Sequence, residues 1–320
     1  MDITGKRIAI CTAIVAMAYY WQMYIKRGPM CNCAKDMTGK TVLITGGSRG
    51  VGKVTAMDFA KMGATVVIAS RNDKKLKETV AEIIEKTGNQ NVRSMSLDLA
   101  DFESVRSFAK KFNEEEKYLD ILVNNAGVLG VQGVSAVGFS SVFTINHFGH
   151  FLLTNLLLDK MRGQSAQRPV RVINLTSEMY KAISAIDYDF IKQGTTGIID
   201  AYQMYATSKL ANILFTAEFN RRCQGDNIRT YAVNPGVLET EIEGNMPYNF
   251  DKINWYFLKL IRRPVEFGSQ TILHCALTDI EDQSGNFFQD CHKENVWENA
   301  KNITEAKKLW DMSVEITGLK

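Results

Sequence analysis

The chain has 320 residues, 45% of them apolar, and a formal net charge of +3. That length and apolar share can bury a large core, one α/β domain with extensions, and the small charge argues against disorder and against a nucleic-acid partner. The six cysteines are too scattered for a disulfide framework, and the four histidines make no metal-ligand spacing with them, so a reduced compartment and no metal are expected.

Residues Ile8 to Ile25 are almost free of charge, bracketed by Lys6-Arg7 and Lys26-Arg27. As a helix this stretch is about 27 Å long, near the roughly 30 Å of a bilayer core. Tyr19, Tyr20, Trp21 and Tyr24 gather at its end, where an aromatic belt would sit. A cleaved signal peptide would need small residues at that end, and a core helix would not explain the charged brackets. An uncleaved membrane-anchor helix is therefore expected, spanning the bilayer or lying in one leaflet, with membrane lipid as a partner. Residues 1–28 form the anchor, 29–38 a linker and 39–320 the catalytic domain. The basic residues after the anchor turn the domain toward the cytosol. The endoplasmic reticulum is the expected membrane, with a mitochondrial membrane as the alternative. Cys31 and Cys33, just past the anchor, are read as thiols, with acylation as the alternative.

From Gly39 strand and helix patterns alternate, the signature of a doubly wound parallel sheet. The β-branched run Thr41 to Thr45 ends in Gly46-Gly47-Ser48-Arg49-Gly50-Val51-Gly52, and a helix pattern follows. Glycines at such a turn let the backbone approach a diphosphate, which the helix N-terminus then stabilises. The next strand, Thr65 to Ala69, ends at Ser70-Arg71-Asn72, where an NAD site usually carries an acid; Asp73 falls two residues late. Arg71 and Arg49 instead suit a 2′-phosphate, so NADP is the expected cofactor. Asp98 and Leu99 close a third strand, and a fourth, Leu119 to Val123, runs into Asn124-Asn125-Ala126-Gly127. Asp98 is placed to meet an adenine edge, and Asn125-Ala126-Gly127 to bring backbone close to the cofactor.

Asn146 sits inside an apolar helical run, and a buried amide needs partners. It either bridges backbone groups or holds a water in a proton path. Val170 to Leu175 is a strand ending at Thr176-Ser177, whose hydroxyl can hold a substrate oxygen. Burial in that strand would close the glycosylation sequon at Asn174, leaving Asn302-Ile303-Thr304 as the exposed one. Three tyrosines stand four residues before a lysine: Tyr188…Lys192, Tyr205…Lys209 and Tyr248…Lys252. On a helix such a pair shares one face, and the ammonium draws the phenol pKa down from about 10, suiting it to acid/base work. Only Tyr205 opens a long helix pattern between the Ser177 strand and the strand that ends at Asn234-Pro235-Gly236.

These features together resemble the short-chain dehydrogenase/reductase superfamily, and more narrowly its membrane-anchored, NADP-preferring retinol dehydrogenase-like subgroup. The resemblance runs from about Gly39 to the C-terminus. It rests on Thr45-Gly46…Gly50…Gly52, Asn124 to Gly127, Asn146 to Thr154, Tyr205…Ser208 to Asn212, Ser284 to Phe288 with Asp290-Cys291, and Leu309 to Asp311. It implies a Rossmann-type single domain behind the anchor. Tyr205 would be the acid/base, Lys209 would tune it and bind the nicotinamide ribose, Ser177 would hold the carbonyl oxygen, and Asn146 would organise a relay water. Gly46, Ser48, Arg49, Gly50, Val51, Gly52, Arg71, Asp98, Leu99, Asn125, Ala126 and Gly127 would line the cofactor, with Pro235, Gly236 and Thr240 closing over the nicotinamide. Asn234 stands where the subgroup commonly has histidine, and Ser70 where it commonly has cysteine. The implied reaction is hydride transfer between NADP(H) and a hydrophobic alcohol and its aldehyde or ketone, retinol/retinal-like or another lipid aldehyde. A steroid or other lipid ketone reductase is the alternative, and a non-catalytic NADP-binding membrane protein the alternative of another class.

Overall fold

Thr41–Thr45 (β1) is buried along its whole length, and Thr65–Ser70 (β2) along all but its ends. Such unbroken β-branched runs suit strands covered on both faces, as in a parallel sheet flanked by helices. The structure is a computed structural model that describes residues 28–31, 33–238 and 262–319. The anchor expected over residues 8–25, Thr240 and the pair Tyr248…Lys252 lie outside the described residues. Among the described residues no helix is long and apolar enough to cross a membrane.

After β1 come α1 (Gly50–Lys61), β2, α2 (Asp73–Thr87), β3 (Val92–Ser96), α3 (Phe102–Glu115) and β4 (Ile121–Asn124). A π-helical turn, Thr144–Phe148, then leads into α4 (Gly149–Leu156), followed by α5 (Leu158–Ser165), β5 (Val170–Leu175), α6 (Ile198–Arg222) and β6 (Ile228–Asn234). The C-terminal part adds α7 (Gln270–Leu277), β7 (Phe287–Gln289), β8 (His292–Glu294) and α8 (Ile303–Thr317). The strands lie in the order β3-β2-β1-β4-β5-β6-β7-β8, parallel from β3 to β7 with β8 antiparallel at the edge. Strand order therefore reverses between β1 and β4, and a crevice opens at that switch point on the carboxyl edge.

Alternate residues of each strand face opposite layers. Val42, Ile44, Val66, Ile68 and Val123 pack with Phe59, Ile83 and Ile272 from α1, α2 and α7. Leu43, Val67, Leu122 and Val172 pack with Phe112, Phe151, Phe215 and Trp310 from α3, α4, α6 and α8. Across β4 and β5, Asn124 Nδ2 donates to Asn174 Oδ1 at 2.8 Å, and Asn174 Nδ2 to Thr216 Oγ1 at 3.0 Å. Asn174 is thus committed inside the sheet, so its sequon is closed. Asn302 is exposed, and its Oδ1 caps α8 by accepting from the Glu305 N–H at 3.0 Å.

The stretch read as a linker is bound to the domain along α7 and at the end of α1. The Cys31 N–H donates to Gln270 Oε1 at 2.9 Å, Lys35 Nζ to Leu277 O at 3.4 Å, and the Met37 N–H to Met62 O at 2.8 Å. Cys31 and Cys33, expected as two thiols, are joined as a disulfide, their 5.3 Å Cα separation lying within disulfide reach. Cys223, Cys275 and Cys291 are free.

Gly149 lets α4 press against the β3–α3 connection: a Cβ there would stand 2.4 Å from Leu99 O. Gly163, on α5, has nothing within 4 Å of such a Cβ. Gly149→Ala should therefore cost about 1–3 kcal/mol by overpacking, whereas Gly163→Ala should add roughly 0.5–1 kcal/mol through helix propensity. Denaturant unfolding of the two variants checks the opposite signs.

Candidate active site

The glycine turn closes onto the end of β4. Gly46 has φ 68°, and a Cβ on it would lie 2.8 Å from Ala126 Cα; one on Gly52 would lie 2.5 Å from Gly46 O. Asn125 Nδ2 stitches the two segments by donating to Thr45 O at 2.7 Å and Gly46 O at 3.3 Å. Val51 and Leu99 bury their side chains in the core, and the Ser48 carbonyl accepts from Thr79 Oγ1 at 3.1 Å. From Val51 and Leu99, then, only the backbone is available to a ligand.

The residue beneath this turn that sequence reasoning left without a role is His150. Its Nδ1–H donates to Asn146 O at 3.2 Å, so its Nε2 accepts from the Thr45 hydroxyl at 2.8 Å. Thr45 Oγ1 in turn accepts from the Asn125 and Ala126 N–H groups, both at 3.0 Å. Burial pushes the His150 pKa down to about 3, which keeps the ring neutral and able to serve both sides. The π turn sets up this reach, since Gly149 N–H bonds to Thr144 O, one residue further back than α-helical spacing.

Tyr205 and Lys209 share a face of α6, with Nζ 5.2 Å from the centre of the Tyr205 ring. Both are buried, at 9% and 3% exposure. Lys209 Nζ donates to Leu175 O at 3.2 Å, and a Cβ added to Gly127 would lie 3.5 Å from it. Burial pushes the Lys209 pKa down to about 8. Ser177 follows the carboxyl end of β5 by two residues; its Oγ accepts from Met179 N–H at 3.3 Å, which leaves its own proton to donate. Asn146 bridges backbone: Oδ1 accepts from the Val128 N–H at 2.8 Å, and Nδ2 donates to Val128 O and Ser208 Oγ, each at 3.0 Å. The structure thus brings Tyr205, Lys209, Asn146 and Gly127 together, with Ser177 two residues past the Leu175 carbonyl that Lys209 holds.

Tyr188, by contrast, donates its hydroxyl to Glu305 at 2.5 Å, and Lys192 pairs with Asp189 at 3.0 Å. Burial and that carboxylate push the Tyr188 pKa upward, the wrong direction for a base. This pair is structural.

The protein atoms fit a dinucleotide. Asn72, Asp101 and Asn302 cap α2, α3 and α8 with their side chains, whereas Arg49 gives α1 no side-chain cap, so the helix end beside the glycine turn can receive a phosphate. Two buried hydroxyls on the carboxyl edge, Ser70 Oγ and Thr176 Oγ1, have no hydrogen-bond partner. Among the described residues Lys209 makes one hydrogen bond, leaving two donors of a buried ammonium to be met. Arg49 and Arg71 are exposed at the ends of β1 and β2, and Asp73 is drawn to Lys77 at 2.6 Å. Asp98 Oδ1 accepts from the Ala100 N–H at 2.9 Å. After β6, Gly236 has φ 88° and its N–H donates to Asn234 Oδ1 at 3.1 Å, which makes a tight turn of Pro235-Gly236 at the carboxyl end of the strand. A concavity of about 550 Å³ lined by Lys117, Tyr118, Lys160 and Arg168 lies at the opposite, amino edge and belongs to another surface. Among the described residues no cluster could hold a metal ion.

Residues 40–249 match the family described as short chain dehydrogenase. The chain is 41% identical over 292 residues to retinol dehydrogenase 11 of Homo sapiens, an alignment covering 91% of this chain and 89% of that protein. With retinol dehydrogenase 12 of Mus musculus the identity is 39% over 317 residues, covering 98% of each. The crystal structure of an uncharacterized protein from Mycobacterium Paratuberculosis superposes with a TM-score of 0.69 at 28% identity, covering 91% of this chain and 98% of that one. A short chain dehydrogenase from Salmonella enterica shares the fold at a TM-score of 0.61 and 23% identity, over 79% of this chain and 96% of that one. The sheet, the glycine turn and these matches agree: the chain belongs to the short-chain dehydrogenase family, in its retinol dehydrogenase-like subgroup, and is an oxidoreductase.

Proposed function

We propose that the chain interconverts a hydrophobic alcohol and its aldehyde or ketone with NADP(H), a retinol/retinal-like pair being the substrate its relatives' names favour. The observation that carries this reading is the buried Lys209 ammonium beside the Tyr205 ring, with Ser177 on the adjoining strand end. In the reducing direction Tyr205 gives its phenolic proton to the carbonyl oxygen. Ser177 donates a hydrogen bond to the same oxygen, and the two donors stabilise the alkoxide as it forms. Lys209 favours the phenolate that Tyr205 leaves behind and uses its remaining donors on the ribose. Asn146 fixes the loop at Val128, and hence Gly127, against α6, and its part in proton relay rests on that position. A bound nicotinamide supplies or accepts the hydride. The 2′-phosphate preference rests on Arg49 and Arg71 and on the engagement of Asp73 with Lys77. The same reading gives residues 1–28 to an endoplasmic-reticulum anchor, 29–38 to a linker, and 39–320 to a cytosol-facing catalytic domain, with Thr240 closing over the nicotinamide.

Tyr205→Phe should lower kcat by about 10²–10⁴-fold while leaving NADPH affinity nearly unchanged; full turnover of retinal by this variant would overturn the mechanism. Comparing retinal, a steroid ketone and a small polar aldehyde on purified protein tests the substrate class, and a preference for the polar compound counts against it. Arg49→Ala and Arg71→Ala each remove a charge-assisted contact of about 1.5–3 kcal/mol, so each should raise KM for NADPH roughly 10- to 100-fold and leave KM for NADH in place. The Lys209 ammonium is charged below its folded-state pKa of about 8 and neutral above it. NADPH affinity should therefore be full below that pH and fall by up to about tenfold per pH unit above it, while Lys209→Met binds weakly and evenly across the range.

A further inference from the structure

Four of the six exposed large apolar side chains among the described residues are Met30, Val134, Ile199 and Val237. Val134 follows β4, Ile199 lies in the first turn of α6 after β5, and Val237 follows β6. All three therefore stand on the carboxyl edge, the edge that carries the glycine turn, Ser177 and Tyr205. A β-bridge from Gly133 to Thr195 joins the loop that holds Val134 to the segment that leads into α6 and Ile199. Met30 is brought to the same edge by Gly28, where a Cβ would lie 3.0 Å from the Arg263 guanidinium. That guanidinium is also the neighbour a Cβ on Gly236 would meet, at 3.5 Å.

Gly28 is three residues beyond Ile25, the end of the apolar stretch that begins at Ile8. Three residues reach at most about 10 Å. The chain outside the described residues therefore puts the end of its apolar stretch within that distance of the active-site rim.

We infer that the carboxyl edge rests on a lipid bilayer, with Met30, Val134, Ile199 and Val237 entering the interface and the mouth of the site opening against the membrane. An apolar substrate then passes from lipid to Tyr205 with little exposure to water, and burial of the four side chains offsets the cost of holding the domain in one orientation. The inference rests on the anchor proposed above.

The test uses the full-length protein in phosphatidylcholine vesicles that contain a photoactivatable phosphatidylcholine. Flotation reports the anchor, and peptide mapping after illumination reports the face. The expected result is flotation with lipid adducts on the peptides holding Val134, Ile199 and Val237, several-fold above those holding Lys117 and Gln167 at the amino edge. Ile199→Asp should still float, keep its rate on a water-soluble aldehyde, and lose several-fold in adducts around position 199 and in rate on vesicle-borne retinal. Flotation with adducts confined to residues before Gly28 overturns the docked face and leaves the anchor standing. Chain-to-chain adducts on these loops overturn it in favour of a second copy of the protein. A chain that does not float overturns anchor and docking together.

Discussion

One buried hydroxyl, that of Thr45, holds three segments of the site in register. It receives two backbone N–H groups from the end of β4 and gives its proton to His150, which reaches from α4 and holds the Asn146 carbonyl with its other nitrogen. Each bond is worth about 1 kcal/mol net, but an N–H left without a partner there costs about 1–3 kcal/mol. The arrangement is therefore all-or-none. It also requires a neutral imidazole, because a charged ring would turn Nε2 into a donor toward a hydroxyl already accepting two bonds. Deep burial supplies that neutrality.

The same reasoning reverses at Lys209. There a cation is buried against one carbonyl, and that burial pulls its pKa down to about 8. Asn212 Nδ2 takes up the same Leu175 carbonyl at 3.1 Å, so the end of β5 serves two donors of α6 at once. A protein built for stability alone would fill this place with an apolar side chain. The under-satisfied ammonium suits the ribose contact proposed for it, which would supply its remaining partners.

Much of the fold was legible because it rests on local pattern. Unbroken β-branched runs and glycine turns announce parallel strands, and the Tyr205…Lys209 spacing needs only a helix to be read. Position then separated Tyr205 from Tyr188, whose hydroxyl is spent on Glu305 from α8, a contact no local pattern contains. His150 was invisible for a different reason. Its partners are set by a π turn, and a one-residue change in hydrogen-bond spacing leaves no trace in the apolar periodicity of Phe143, Phe148, Phe151 and Leu152. The pairing of Cys31 with Cys33 was likewise missed, because counting cysteines asks whether a framework exists, not whether two neighbours on an extended segment meet.

Leu238 and Arg263 form a parallel bridge, and Arg263 N–H donates to Val237 O at 2.8 Å. Arg263 is further pinned by an ion pair to Asp290 beyond β7. The two ends of the intervening chain are therefore clasped by the domain itself, independently of what lies between them. Because closing a loop grows dearer only with the logarithm of its length, that span is free to lengthen, shorten or change composition with little effect on the sheet. The sheet and the catalytic residues that it positions are thus insulated from change in that span.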